Sequence, residues 1–475
     1  MFVGRDHELA LLNELWNKGE ASFVVCKGRR RIGKSTLIQQ FGKTADIFME
    51  FQGAAPDKSL TNQAQMNIFC EQLCVQSDLP RFTPENWQQI FSFLATTIKT
   101  DRKTVVLLDE ISWMAAKAPG LSAQLKIVWD TQFKNFSHLI MVVCGSVSSW
   151  IEENILNSTG FMGRVSLELT PSELPLKECN KFWHGRSLRV SSAEKLKILS
   201  ITGGVPRYLE EINPARSAEE NINRLCFMKE GVLFNEFDRI FSDVFDRRAA
   251  TYKKIVASLV SGPKTLSDIS KTTDTVRSGQ LTKYLNDLVE SGFIWKDKVF
   301  SLKTDKELRS ARFRLKDNYL RFYLKYIEPL ADRIRSGLYK GARIEDLTQW
   351  ETIMGLQFEN LILNNIPLLL KALSINPNAV THASPYYQKK TAGRKKCQVD
   401  LLVQTKHSIY VCEIKFRKKI QKNVIDEMYA KISRMEMPKM VSIRPVLIYE
   451  GNLSSRIREE DFFDHIIHFG DFLAG

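Results

Sequence analysis

The stretch Gly28-Arg29-Arg30-Arg31-Ile32-Gly33-Lys34-Ser35 constrains this chain more than any other: the apolar run Phe23-Val24-Val25-Cys26 precedes it, and a helical pattern through Leu37 and Ile38 follows. A strand, a glycine-bracketed loop and a helix in that order let backbone N–H groups converge on phosphate oxygens, with the positive end of a helix dipole behind them. In such a loop Lys34 reaches the β- and γ-phosphates of a nucleotide and Ser35 holds Mg²⁺ through its hydroxyl. Gly28, Gly33, Lys34, Ser35 and Thr36 are therefore the nucleotide-binding candidates.

At 475 residues the chain has room for about three domains, each burying its own core. No apolar run approaches the roughly 20 residues that cross a bilayer, so no membrane role is expected. The start, MFVGRDHEL, carries early acidic residues and no apolar signal core, which argues against secretion. Of the eight cysteines, Cys26, Cys144 and Cys412 sit in apolar strand-like runs and read as reduced core thiols, as in a cytoplasmic protein. The formal charge of +14 is unevenly placed: residues 1–250 hold 30 Lys and Arg against 29 Asp and Glu, whereas residues 251–475 hold 38 against 25. An excess confined to one half suggests that residues 251–475 meet a polyanion such as nucleic acid, with a merely solvated surface as the alternative.

Farther along, Lys103-Thr104-Val105-Val106-Leu107-Leu108-Asp109-Glu110 reads as a buried strand ending in two carboxylates. Delivered to the carboxyl edge of a parallel sheet, Asp109 would hold the Mg²⁺ shell and Glu110 would orient or deprotonate the attacking water. A further strand, His138–Cys144, runs into Gly145-Ser146, where Ser146 is either a γ-phosphate sensor or a helix cap. Arg164, in Gly163-Arg164, is a candidate arginine finger or a fixed salt-bridge partner. In Thr202-Gly203-Gly204-Val205-Pro206-Arg207-Tyr208-Leu209, Pro206 would lie against a base and Arg207 would point to phosphate.

Together FVGRDHEL, GRRRIGKS, LLDEISWM, VVCGSVSSW, GR at 163–164 and GGVPRYL resemble the archaeal-type AAA ATPases, relatives of origin-recognition initiators and STAND signalling ATPases. The resemblance implies ATP binding and slow hydrolysis through Lys34, Ser35, Asp109 and Glu110. Ser146, Arg164 and Arg207 carry over less directly, and an Arg164 acting in trans would imply a homo-oligomer. Many members also carry a C-terminal nuclease-like domain.

From Thr251 three helices and two strands are expected. The helices are one through Leu259, a short one at Leu266–Ile269, and one over Ser278–Ser291; the strands are Gly292–Trp295 and Val299–Leu302, joined by a charged turn Lys296-Asp297-Lys298. This is a winged-helix pattern, in which Arg277, Ser278, Gln280 and Lys283 stand where a third helix touches DNA. The arginines among aromatics in Phe313–Leu324 could stack on bases, but an amphipathic linking helix is the favoured reading.

In the last third, Glu359 lies on a helix from Trp350 to Asn365. Cys397–Val403 and Ile409–Lys415 read as paired strands turning at Lys406-His407. Two-residue spacing puts Glu413 and Lys415 on one face, and the partner strand brings Asp400 beside them. The set resembles the PD-(D/E)xK restriction-type nuclease core, with Val399 where the motif has proline. The resemblance implies that Asp400 and Glu413 hold Mg²⁺, that Glu359 is an accessory ligand and that Lys415 activates the nucleophile. Lys389, Lys390, Arg394, Lys395 and Lys396 precede the site, and Arg417, Lys418, Lys419 and Lys422 follow it.

The expected architecture is a multidomain α/β chain. It comprises a P-loop AAA-type parallel sheet over 1–170, a helical lid over 171–248, a winged helix over 249–305, linker helices over 306–345 and a restriction-endonuclease-like domain over 346–475. The expected function is an ATPase, with ATP and Mg²⁺ as cofactors, coupled to a DNA-binding nuclease-like domain. The rival is a STAND-like signalling ATPase whose inactive C-terminal domain binds a protein.

Overall fold

The computed structural model describes residues 2–474 apart from 56–58, 147–148, 246–247, 276–278, 305, 340, 342 and 391–394. The chain divides into two compact units, Met1–Ser172 and Glu173–Gly475.

The first unit is built on five strands: β1 (Ser22–Gly28), β2 (Ile47–Gln52), β3 (Thr104–Asp109), β4 (Leu139–Ser146) and β5 (Val165–Leu169). Their spatial order is β2-β3-β4-β1-β5 and every pairing is parallel. Parallel neighbours need crossover connections, so helices cover both faces and the central strands are apolar throughout. Phe23 and Val25 face one core with Val106, Leu108, Met141 and Val143, under helices 62–77, 87–97 and 121–131. Val24 and Cys26 face the other with Val105, Leu107, Ile140 and Val142, under helices 6–14 and 34–42. The order sets β4 between β1 and β3, so the carboxyl ends of these three strands stand side by side.

The second unit opens with helices, among them 192–202, 206–209, 218–226 and 232–245. Helices 249–258, 266–273 and 279–290 follow, with an antiparallel sheet of β6 (Lys264–Thr265), β7 (Ile294–Ser301) and β8 (Lys306–Leu315) in the order β6-β8-β7. The hairpin differs from the sequence reading. Lys296-Asp297-Lys298 is no turn but the middle of β7, and the chain reverses between Ser301 and Lys306. The reason is Asp297: its carboxylate is 1% exposed and meets Arg314 Nε of β8 at 3.2 Å. The other charges of the tripeptide face outward, as strand alternation requires.

The arginines of Phe313–Leu324 point inward as well. Arg314 donates to Asn360 Oδ1, and Arg321, 2% exposed, donates to Gln357 Oε1 at 2.6 Å. Gln357 in turn donates to the carbonyls of Ser200 and Asn318, both at 2.7 Å, so one amide ties helices 192–202, 318–322 and 350–363 together. These arginines hold a core and do not present a base-stacking surface.

Five strands close the chain: β9 (Val380–Gln388), β10 (Cys397–Thr405), β11 (Ser408–Ile420), β12 (Ser442–Leu453) and β13 (His465–His468). They lie in the order β13-β12-β11-β10-β9. β9, β10 and β11 form an antiparallel meander, while β11, β12 and β13 run parallel. Helix 350–363 packs on β11, and helix 423–434 crosses between β11 and β12 while touching β10 and β11.

Candidate functional site

In the first unit the backbone turns from β1 into helix 34–42 through positive φ at Arg31 (67°) and Gly33 (83°). Glycine adopts such a turn without a Cβ penalty. Lys34 is buried, and its Nζ donates to the carbonyls of Gly28 at 3.0 Å and Arg29 at 3.1 Å. Ser35 Oγ donates to Asp109 Oδ2 at 2.7 Å, so the loop serine and the β3 carboxylate meet. Thr36 is exposed on the same first turn. Ser146 ends β4 directly opposite Gly28.

Glu110 follows Asp109 in the left-handed region (φ 50°), a strained conformation of the kind that accumulates at functional sites. Burial raises its carboxyl above the ordinary range, with Asp109 adding to the rise; Lys34, Arg30 and the Ser146 backbone amide oppose it. Glu110 Oε2 is buried and has no hydrogen-bond partner among the described residues. A buried acceptor left open in this way is suited to orienting a water. Glu110→Gln should therefore lower turnover by about 10²–10⁴-fold while ATP still binds. Parallel phosphate-release and nucleotide-binding assays check this, and unaltered release would remove Glu110 from the chemistry.

Two residues of this neighbourhood escaped the motif reading. Arg30 lies over the Trp113 ring, 5.1 Å from its centroid, and Arg5 donates to the carbonyls of Ile32 at 2.9 Å and Ser172 at 2.7 Å. Arg5 thus fastens the loop to the end of the unit, and its signal was a charged residue inside the FVGRDHEL motif. Arg164 stands in the fixed-pair alternative: Nε and Nη2 clamp Asp130 at 2.7 and 2.9 Å, and the Asp130 carboxyl falls to about 2, chiefly through the hydrogen bond from Arg164.

In the second unit Pro206 opens the short helix 206–209, and Arg207 pairs with Glu210 at 3.4 Å and Glu211 at 2.8 Å on its own segment. Gln280 and Lys283 are exposed on helix 279–290, whereas Leu281, Leu285 and Leu288 are buried; Arg277 and Ser278 lie outside the described residues, as does Arg394.

The C-terminal set does come together. β10 and β11 are neighbours, and Asp400 Oδ2 accepts from the Ile414 backbone N–H at 3.0 Å. Glu413 is 1% exposed, and Lys415 Nζ stands 2.7 Å from its Oε1 and 2.9 Å from Glu427. Burial followed by repulsion from Glu413 lifts the Asp400 carboxyl to about 6, and burial followed by repulsion from Asp400 lifts Glu359 to about 8. Burial works against the Lys415 ammonium, but Glu413 and Glu427 outweigh it and hold its pKa above the ordinary lysine value. Repulsion among three close carboxyls, Glu413 buried and Asp400 and Glu359 partly so, marks a place that favours a cation. Lys431 of helix 423–434 supplies one, with Nζ 2.5 Å from Glu413 Oε2 and 3.7 Å from Asp400 Oδ1. Among the described residues no three His, Cys, Asp or Glu side chains are grouped closely enough to hold a metal ion as they stand. The oxygen donors of Asp400 and Glu413 nonetheless suit Mg²⁺, which needs only one or two carboxylates and keeps its waters.

Of the flanking basic residues, Lys418 pairs with Glu345 at 2.9 Å and Lys422 with Glu460 at 2.5 Å, while Lys389, Lys390, Lys395, Lys396 and Arg417 are exposed.

Residues 2–212 match the profile of an ATPase domain found predominantly in Archaea. A Methanocaldococcus jannaschii protein of unassigned function is 24% identical over 367 residues, covering 76% of each chain. An ATP-binding protein of the same organism is 46% identical over 41 residues, 9% of this chain and 70% of that one. Among solved structures, a Walker-type ATPase of Pyrococcus abyssi is 14% identical with a TM-score of 0.47, covering 68% of this chain and 96% of the other. The ORC2 protein of Aeropyrum pernix is 13% identical with a TM-score of 0.44, covering 70% and 94%. No helix among the described residues is long and apolar enough to cross a membrane. Residues 2–212, which that profile matches, thus hold an ATPase domain of the archaeal type, with Lys34 and Ser35 opening the helix after β1 and Asp109 closing β3.

Proposed function

We propose that the chain is an ATP-dependent switch in which the ATPase domain governs a Mg²⁺-dependent, nuclease-like C-terminal domain acting on DNA. The observation that carries this reading is the convergence of Asp400, Glu413 and Lys415 on two paired strands, with Glu359 close enough to share their charge. The elements around them support it: the helix bearing Glu359 packs on β11, and helix 423–434 lies against β10 and β11 before the parallel strand β12. Bound at the Asp400 and Glu413 carboxylates, Mg²⁺ would polarise a phosphodiester and lower the pKa of its water. Lys415, held by Glu413 and Glu427, would orient the attacking oxygen and balance developing charge.

Helices 249–258, 266–273 and 279–290 with β6, β7 and β8 fit a winged helix that runs to Leu315, farther than the strand pattern alone suggested. The exposed Gln280 and Lys283 and the basic balance of residues 251–475 are consistent with a polyanion partner. The assignments over 171–248 as lid and 346–475 as nuclease-like domain belong to the same proposal.

The test is incubation of purified protein with single- and double-stranded DNA and RNA, with Mg²⁺ or Mn²⁺, and with or without ATP. Cleavage is expected to need the divalent ion and to disappear in Asp400→Asn. If every nucleic acid stays intact, the nuclease reading fails and the ATPase assignment is untouched.

A further inference from the structure

Five alternating charges run through the C-terminal site: Glu427, Lys415, Glu413, Lys431 and Asp400, each within 3.7 Å of the next. Two of them, Glu427 and Lys431, come from one face of helix 423–434, four residues apart. Lys431 occupies a position of that helix where the pattern Val424, Met428, Met435 calls for an apolar residue. Its ammonium lies between the carboxylates that the nuclease reading assigns to the metal. We propose that Lys431 is a resident counter-ion of the Asp400–Glu413 pair, and that a divalent cation binds there only by displacing it. The proposal rests on that reading of the site.

The physical case is one of competition for the same oxygens. Without Lys431, Lys415 alone would have to balance two adjacent carboxylates largely withdrawn from water, a costly state for an interior. With it, they are satisfied in the absence of metal. A divalent ion at the same place has twice the charge to offer, and at short range in a water-poor site the Coulomb term scales with that charge. Lys431 is also equipped to leave: its side chain is 24% exposed, against 1% for Glu413 and 11% for Asp400, so its flexible stem can carry the ammonium into solvent. Lys415 is less able to do so, because Glu427 holds it from the other side. One lysine thus remains for chemistry while the other makes way.

The experiment measures Mn²⁺ binding to the full chain without nucleotide, by electron paramagnetic resonance and by the thermal midpoint with and without Mn²⁺. Lys431→Met is expected to bind Mn²⁺ at least about tenfold tighter than the wild-type chain, within the range over which residues beside a metal site tune affinity. Its midpoint should fall without metal and rise on adding Mn²⁺ by more than the wild type's does. The Asp400→Asn/Lys431→Met double variant should lose both effects, which separates this site from any metal bound at Asp109. Lys431→Gln serves if the methionine variant is too unstable to purify, since the amide keeps a donor without the charge. Equal Mn²⁺ affinity in wild type and Lys431→Met, still abolished by Asp400→Asn, would overturn the counter-ion role and leave the metal site standing. No Mn²⁺ binding sensitive to Asp400 in either chain would overturn both.

Discussion

Replacing Lys34 with alanine is expected to lower ATP turnover by about 10²–10³-fold, the size of effect seen when one positioned donor to developing charge is removed. Lys34 is 7% exposed, and its ammonium is held by the carbonyls of Gly28 and Arg29 in the loop that leads into helix 34–42. Those carbonyl contacts are exchangeable: a phosphate arriving at the loop offers a full negative charge where the loop offers two dipoles. The transferred group spreads its charge over equatorial oxygens, so most of the protein's contribution is electrostatic positioning. Alanine removes that contribution and leaves Ser35 and Asp109 in place. Phosphate release at saturating ATP is the measurement, and a rate near wild type would mean that Lys34 does not meet the phosphates.

Arg314→Ala should destabilise the second unit by about 3–5 kcal/mol, the cost of leaving one member of a buried ion pair alone. Asp297 is 1% exposed and Arg314 8%, so neither reaches bulk water when its partner goes. Burial already raises the Asp297 carboxyl above its ordinary range, and Arg314 is what opposes that rise. Truncating Arg314 also strands Asn360 Oδ1, which accepts from it. A paired replacement, Asp297→Leu with Arg314→Met, should recover much of the loss, because no charge is then left buried. Urea midpoints followed by circular dichroism compare the three chains. A midpoint for Arg314→Ala equal to wild type would contradict the buried-pair account.

The same pair explains where sequence reading stopped. Three charged residues in a row, Lys296-Asp297-Lys298, signal solvent, and nothing local announces that the middle one faces an arginine 17 residues later on the next strand. Contacts between distant segments decide such cases. The nucleotide site was legible for the opposite reason: its loop, glycines, lysine and serine are contiguous, and the Asp109–Glu110 pair ends an unmistakably apolar strand. The carboxylate set at Asp400 and Glu413 was legible through strand alternation, which places Glu413 and Lys415 on one face wherever the strand goes. Lys431 was not, although it left a trace, being a lysine in the apolar stripe of its helix. Arginines gave the least away: Arg164, Arg207, Arg314 and Arg321 each have the composition of a ligand-binding group, and each is taken up by the protein itself.

Gln357 bears on how this molecule can be dissected. Its amide spans helices 192–202, 318–322 and 350–363, so the segment before residue 249 supplies a carbonyl that the last third of the chain relies on. A gene truncation at residue 248, the natural choice from motif boundaries, would strip Ser200 from a fully buried amide and uncover the back of the helix that carries Glu359. The compact unit that begins at Glu173 keeps these bonds intact, so the helices before the three-stranded sheet belong with the C-terminal sheet in one piece.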